Sequence, residues 1–201
     1  RYACSVKEHD LWVKQLDTGE ERPLTSDGAL HWSYGQRSET CLSAVSYRRC
    51  PVPMAVWSSD SQWLLTHRID ERSLPELALV QGAPPDGARP RLHRFKYSVP
   101  GDPLPIATYV AIHVAMGGTV SFPDFPTLVT AAYAPFTNSA WFDAAGAPWL
   151  VRFDRHCRQV EFLQLDLASG TGRVVLIERA ETGYIDLHPV LGMTPNVRNL
   201  P

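Results

Sequence analysis

Residues 55–81 read A-V-W-S-S-D-S-Q-W-L-L-T-H-R-I-D-E-R-S-L-P-E-L-A-L-V-Q. Two strand-like runs, 55–57 and 62–69, flank the residues 58–61, which are small and polar and can bond their own backbone to reverse the chain. Side chains of the second run alternate between two faces. One face carries Trp63, Leu65, His67 and Ile69, and the other carries Leu64, Thr66, Arg68 and Asp70. A tryptophan, a polar reversal and an aromatic-rich strand are typical of a corner in a propeller blade.

This corner resembles the W-S-P-D-G hairpin of the N-terminal β-propeller in the dipeptidyl peptidase IV branch of the prolyl oligopeptidase family. Trp57, Ser58 and Asp60 occupy the Trp, Ser and Asp positions of that motif. Ser59 replaces its Pro and Ser61 its Gly. The letters that follow, R-I-D-E-R and then P-E-L, are similar to the next segment of bacterial members. The resemblance implies that residues 1–201 are a fragment of such a propeller.

The composition is that of an ordinary globular chain. Of its 201 residues, 44% are hydrophobic and 20% charged. The net charge of −2 gives no electrostatic footprint for nucleic acid. No apolar run approaches the roughly 20 residues that a membrane helix needs. We therefore expect neither a nucleic-acid nor a membrane partner.

Both ends of the sequence predict an excised piece of a longer protein. The first residue is Arg1 rather than Met, no signal peptide follows, and the last residues lack a capping element. The compartment is left open by this reasoning, with the cytoplasm slightly favoured. The four cysteines, Cys4, Cys41, Cys50 and Cys157, have no C-x-x-C spacing, which excludes the usual zinc and thioredoxin patterns. Cys41 and Cys50 could bridge a hairpin, but free thiols are favoured.

Strand–turn–strand units recur along the chain, as expected for radial repetition. Residues 11–25 and 162–177 share an L-x-[TS]-G turn, and the sequence from Trp141 echoes the corner at Trp57. At about 40–45 residues per blade, the chain would hold roughly four blades. We predict an all-β fold, a partial propeller forming an open arc of antiparallel strands. Its unpaired edges would invite self-association.

The middle of the chain contains two further alternating runs, 91–99 and 106–116, separated by P-G-D-P. This pattern resembles the family segment that extends from a blade as an arm for dimerisation. The resemblance implies an extended arm hairpin within 82–120 and a homodimer. The alternative is an ordinary long hairpin inside a blade.

Motifs for catalysis, metals and cofactors are absent from the sequence. It has no G-x-S-x-G, so the nucleophile elbow of a hydrolase domain is not in this chain. Its seven histidines lack H-x-x-x-H and H-E-x-x-H spacing, and no complete glycine-rich nucleotide loop occurs. We expect no catalytic residue, no metal ligand and no cofactor.

One loop is a candidate for contact with a substrate. In the family, W-V-Y-E-E-E precedes the corner hairpin, and its carboxylates grip the free amine of a peptide. The counterpart by chain order is W-S-Y-G-Q-R at 32–37, which has no acid. The candidates for substrate binding are Gln36, Arg37 and the nearby acid Glu39. Because Arg37 would repel an ammonium ion, strict dipeptide release is in question, and a plain polar loop between blades is the alternative.

A mixed-charge cluster follows the corner strand. Its members are Arg68, Asp70, Glu71 and Arg72. The family resemblance suggests a polar interface with a separate C-terminal α/β-hydrolase domain. The alternative is a solvated turn.

Three hypotheses about function follow. The first is the non-catalytic propeller of a dipeptidyl peptidase IV-like serine peptidase, gating and binding peptide substrate for the hydrolase domain and inactive by itself. The second is a stand-alone propeller that serves as a protein–protein interaction scaffold. A carbohydrate-binding β-domain is disfavoured, because the tryptophans lie in strand patterns that suggest burial. A G-x-S-x-G downstream of Pro201 would distinguish the first from the second.

Overall fold

The computed structural model describes residues 1–38, 52–128 and 140–185, and all its regular elements there are β-strands. These are β1 (Tyr2–Lys7), β2 (Asp10–Gln15), β3 (Glu21–Pro23), β4 (Trp32–Tyr34), β5 (Ala55–Trp57), β6 (Trp63–Asp70), β7 (Glu76–Gln81), β8 (Arg91–Lys96), β9 (Ile106–His113), β10 (Thr119–Ser121), β11 (Thr127–Leu128), β12 (Ala140–Phe142), β13 (Pro148–Phe153), β14 (Gln159–Asp166) and β15 (Thr171–Arg179). Within the described ranges, no helix is long and apolar enough to cross a membrane.

The strands form three blade-like antiparallel sheets and one ribbon. The first sheet has the order β1-β2-β3, and the third has the order β12-β13-β14-β15. The central sheet is built on β6 and β9, with β4 and β5 sharing the free edge of β6 and β10 and β11 sharing that of β9. The ribbon consists of β7 and β8. An all-β, open and partial propeller is therefore confirmed.

The polar reversal at 58–61 folds as predicted. Trp57 pairs with Leu64 across the β5–β6 hairpin. The Trp63 amide donates to Ser58 Oγ at 2.9 Å, and the Gln62 amide donates to Asp60 Oδ1 at 3.0 Å. These side-chain acceptors satisfy the backbone donors that a tight turn leaves unpaired.

The central sheet separates two hydrophobic cores because its strands bury both faces. On one face, Leu64 and Ile112 pack with Leu11 and Val13 of the first sheet. On the other face, the next residue in each strand, Leu65 and Ala111, packs with residues of the third sheet. Those are Ala140, Leu150, Leu163 and Leu165. The two-residue period of a strand thus assigns neighbouring side chains to different interfaces.

The two alternating runs in the middle of the chain lie in different sheets. β8 pairs with β7, whereas β9 pairs with β6 along eight residues in the centre of a blade. Consecutive side chains of β9, such as Val110, Ala111 and Ile112, are apolar, so this strand needs cover on both faces. The strand β8 is mostly polar and charged and stays largely exposed.

The described residues form four sheets, namely three blade-like sheets and the two-stranded ribbon, which is consistent with the estimate of roughly four blades from chain length. The ribbon lies within 76–96, between β6 and β9, the two long strands of the central sheet.

Leu64→Ala and Leu65→Ala should each lower the free energy of unfolding by about 2–5 kcal/mol, because both side chains are fully buried. Hydrogen exchange should distinguish them. Leu64→Ala should accelerate exchange mainly in β1–β3, and Leu65→Ala mainly in β12–β15. Leu16→Ala, at an exposed position, is the control and should change stability by less than about 0.5 kcal/mol. Equal acceleration of both outer sheets by both variants would contradict the two-core arrangement.

Candidate functional site

The edge strand of the central sheet is interrupted where the predicted substrate loop begins. Tyr34 of β4 pairs with Arg68, and Ala55 of β5 pairs with Thr66, so only His67 of β6 lies opposite the break. The Gly35 amide donates to the His67 carbonyl at 2.8 Å, and the Met54 amide donates to the Gly35 carbonyl at 2.8 Å. Gly35 and Met54, which follow β4 and precede β5, are therefore held next to each other at the gap in the edge.

Gly35 has the backbone conformation that this departure requires. Its φ is +59°, a left-handed value that side chains disfavour. A Cβ at this position would lie 3.0 Å from Pro53 Cβ and 3.3 Å from Thr66 Oγ1. Glycine therefore stands where the resembling family motif has its first glutamate, for a reason of backbone geometry and space.

His67 holds the first residue of the loop from beneath. Its Nε2 lies 2.9 Å from the Gln36 carbonyl oxygen, and its ring lies edge-on to Tyr109 with centroids 6.4 Å apart. Burial penalises the imidazolium and lowers the pKa of His67 to about 4, against the smaller opposing effect of the Gln36 hydrogen bond. The imidazole is therefore neutral at pH 7 and donates from Nε2 to the carbonyl.

The side chains of the two described substrate candidates are placed differently. Gln36 Nε2 donates to the Glu8 carbonyl at 2.8 Å, which fastens the loop to the β1–β2 turn. The next residue, Arg37, is exposed. Glu39, the third candidate, lies outside the described residues. The structure thus brings Gln36 and Arg37 to the break in the edge strand, with Gln36 in a structural contact.

Two arginines lie against the Trp32 ring beside this loop. Trp32 pairs with Asp70, and Arg68 and Arg72 flank Asp70 on the neighbouring stretch of chain. The guanidinium carbons of Arg68 and Arg72 lie 4.1 and 4.0 Å from the ring centroid. Both contacts have cation–π geometry.

Acidic partners complete this cluster and balance its charge. Arg68 Nη1 donates to Asp27 Oδ2 at 2.9 Å, and the Tyr34 hydroxyl donates to Asp27 Oδ1 at 2.7 Å. Burial, with a smaller effect from Asp27, raises the pKa of Tyr34 to about 12. Arg72 grips Asp70 through two bonds of 2.9 and 2.8 Å, which hold the pKa of that carboxyl below its usual value. Two ion pairs, Arg68 with Asp27 and Arg72 with Asp70, therefore lie beside the Trp32 ring.

The four residues of the predicted mixed-charge cluster do not share one environment. Arg72 keeps 58% and Asp70 33% of the side chain exposed, while Arg68 keeps only 22%. Glu71 is 3% exposed and accepts a hydrogen bond from Ser38 Oγ at 2.6 Å. Asp70 and Arg72 therefore face solvent, and Glu71 does not.

Sequence reasoning missed three members of this site, namely Trp32 as a platform for arginines, His67 beneath the loop, and Ser38 next to Arg37. The contact of Trp32 with the arginines follows from the pairing of β4 with β6, which places Trp32 opposite Asp70. The sequence alone does not give that pairing. Among the described residues, no group of three His, Cys, Asp or Glu side chains is arranged to hold a metal ion.

Comparison with known proteins places the fold and this site in context. The sequence profile of the dipeptidyl peptidase IV (DPP IV) N-terminal region matches residues 2–199. The chain therefore belongs to this family. No curated protein sequence matches it significantly.

Two solved structures share the fold. The crystal structure of Porphyromonas gingivalis dipeptidyl peptidase 4 superposes on 90% of this chain with a TM-score of 0.69 and 19% identity. A Bacteroides ovatus protein assigned as a dipeptidyl aminopeptidase IV superposes on 90% of it with a TM-score of 0.62 and 13% identity. The chain spans 24% and 23% of those proteins, about a quarter of their length.

The titration of His67 predicts a pH-dependent stability. Between about pH 6.5 and pH 4 the unfolded chain binds a proton at this position and the folded chain does not, so stability falls as the pH is lowered through that range. The loss should reach about 3 kcal/mol relative to His67→Gln, which keeps a donor and does not titrate. Urea unfolding at pH 7.5, 5.5 and 4.5 measures it, and parallel pH profiles for the two proteins would contradict the assignment.

Proposed function

We propose that this chain is the non-catalytic propeller portion of a dipeptidyl peptidase IV-like serine peptidase, which screens and binds peptide substrate for a separate α/β-hydrolase domain. Family membership over residues 2–199 supports the peptidase. The observation that supports the binding role is the interrupted edge strand: Gln36 and Arg37 lie at this interruption, and by chain order they correspond to the family's peptide anchor. The hydrogen bonds of Gln36 with His67 and Glu8 fix the backbone next to Arg37, which supports a role for this part of the loop in recognition.

The chemistry of the loop favours a substrate other than one with a free ammonium group at this position. Gly35, Gln36 and Arg37 replace the three acids of the family motif. A guanidinium there attracts a carboxylate and repels an ammonium ion. We therefore propose peptides whose amino-terminal part is acylated or acidic as the preferred class.

Two surfaces are proposed for the partners of the propeller. The exposed side chains of Asp70 and Arg72 would meet the hydrolase domain, where a charged pair sets orientation more than affinity.

The ribbon exposes Leu79, Val80 and Leu92, and Val80 lies opposite Leu92 in the register. These apolar side chains support the ribbon as the arm of a homodimer.

The isolated 201-residue chain should release no 4-nitroaniline from Xaa-Pro nitroanilides. Its sequence holds no nucleophile elbow, and a propeller loop cannot replace one. The full-length protein, with its hydrolase domain, is the positive control. Turnover by the isolated chain that a serine-directed reagent abolishes would overturn the proposal, as would a full-length protein without any peptidase activity.

Arg37→Glu in the full-length protein should change substrate preference. The kcat/KM ratio for free-amine Ala-Pro-nitroanilide over its succinylated form should rise about tenfold, because the substitution reverses the charge next to the substrate. Arg155→Glu, which reverses an exposed charge on the β13–β14 turn, is the matched control and should leave the ratio unchanged. An unchanged ratio in Arg37→Glu would remove the loop from substrate recognition.

A further inference from the structure

Glu71 is a buried carboxylate at the junction of three segments. It follows β6 directly, where the dense charges of its neighbours predict a solvated turn, yet it is only 3% exposed. Its backbone amide donates to the His31 carbonyl at 2.9 Å, next to β4. A buried carboxyl group of this kind costs free energy unless its hydrogen-bond partners stay in place.

On one side, Glu71 fixes the candidate substrate loop directly after Arg37. Ser38 Oγ donates to Glu71 Oε1 at 2.6 Å, and Ser38 is 2% exposed. His67 holds Gln36 at the start of the loop. Arg37 therefore lies between two fastened residues, and both fastenings come from β6 or the residue that follows it.

On the other side, Glu71 fixes the root of the β7–β8 ribbon. Its carbonyl accepts from the Leu74 amide at 3.1 Å, and Leu74 is 2% exposed. The Leu74 carbonyl accepts from Lys96 Nζ at 2.8 Å, at the end of β8. The Tyr97 amide donates to the Pro75 carbonyl at 3.1 Å, which closes the ribbon at its base.

We infer that Glu71 is a positioning residue that couples the root of the ribbon to the loop at 35–38, so that a change at the ribbon alters where the loop holds Arg37. Only the expected effect of this coupling on substrate binding rests on the proposed function. The physical basis is a continuous chain of hydrogen bonds from Lys96 through Leu74 and Glu71 to Ser38. Because Ser38, Glu71 and Leu74 are buried, water cannot replace a broken bond at low cost.

Hydrogen exchange of the 201-residue chain tests the coupling without any assumption about substrate. Glu71→Gln keeps the size and one acceptor oxygen but replaces the other carboxyl oxygen with an amide donor, and it should accelerate exchange about fivefold in peptides covering 33–38 and also in those covering 72–75. Glu178→Gln is the matched control. It makes the same change at an exposed position on β15 and should affect neither segment.

Lys96→Met tests the inference from the far side. Lys96 belongs to the ribbon, and its loss should accelerate exchange about threefold at 33–38, while Lys96→Arg should restore the slow rate. Acceleration confined to the ribbon and to 72–75 would overturn the coupling. Glu71→Gln could unfold the whole chain, which fast exchange in β13 and β14 would reveal. In that case the comparison of Lys96→Met with Lys96→Arg tests the coupling.

Kinetics of the full-length protein then separate coupling from function. If both hold, Lys96→Met should raise KM about threefold and leave kcat unchanged, and Lys96→Arg should restore KM. Coupling in the exchange data with an unchanged KM would refute the role of the loop in substrate binding, and would leave the physical link between ribbon and loop established.

Discussion

The pairing of β6 with β9 is the constraint on which the rest of the molecule depends. Eight residue pairs fix the register, and they place Leu64 in one core and Leu65 in the other. A shift of one residue would move every side chain to the opposite face and expose both cores to mismatched partners. Both neighbouring sheets are therefore aligned by one ladder of backbone hydrogen bonds.

The same ladder also determines where the candidate site forms. β6 is longer than either edge strand that pairs with it, so β4 and β5 share one edge of β6 and leave a gap opposite His67, which pairs with Tyr109 of β9 on the other edge. The hydrogen-bonding groups of His67 then serve the loop instead of a continuous strand. Glu71, just beyond the end of β6, holds the same loop through Ser38, directly after Arg37. At this gap in strand pairing, the exposed Arg37 lies between Gln36 and Ser38, which are hydrogen-bonded to the buried His67 and Glu71.

Local pattern predicted the parts of the structure that local physics controls. Strand alternation assigned Leu64 and Leu65 to opposite faces, and the small polar residues after Trp57 predicted the turn that Ser58 and Asp60 stabilise. Period and turn chemistry act over a few residues, so one sequence suffices to recognise them. The resemblance to the dipeptidyl peptidase IV propeller rested on these same features and is confirmed.

Features that depend on distant residues could not be predicted in this way. The runs at 91–96 and 106–113 both read as strands, and periodicity does not say that the first pairs with β7 and the second with β6. The burial of Glu71 arises from Ser38, 33 residues earlier, while its sequence neighbours suggested exposure. Trp32 became a platform for arginines only through its register opposite Asp70.

Methyl NOE spectroscopy of the isolated chain tests the central claim most directly, since it reports which side chains meet across each interface. The two-core account predicts contacts from Leu64 to Leu11, from Leu65 to Leu150, and none between Leu65 and Leu11. Contacts from Leu65 to the first sheet, or from Leu64 to the third, would show a different register and contradict the account.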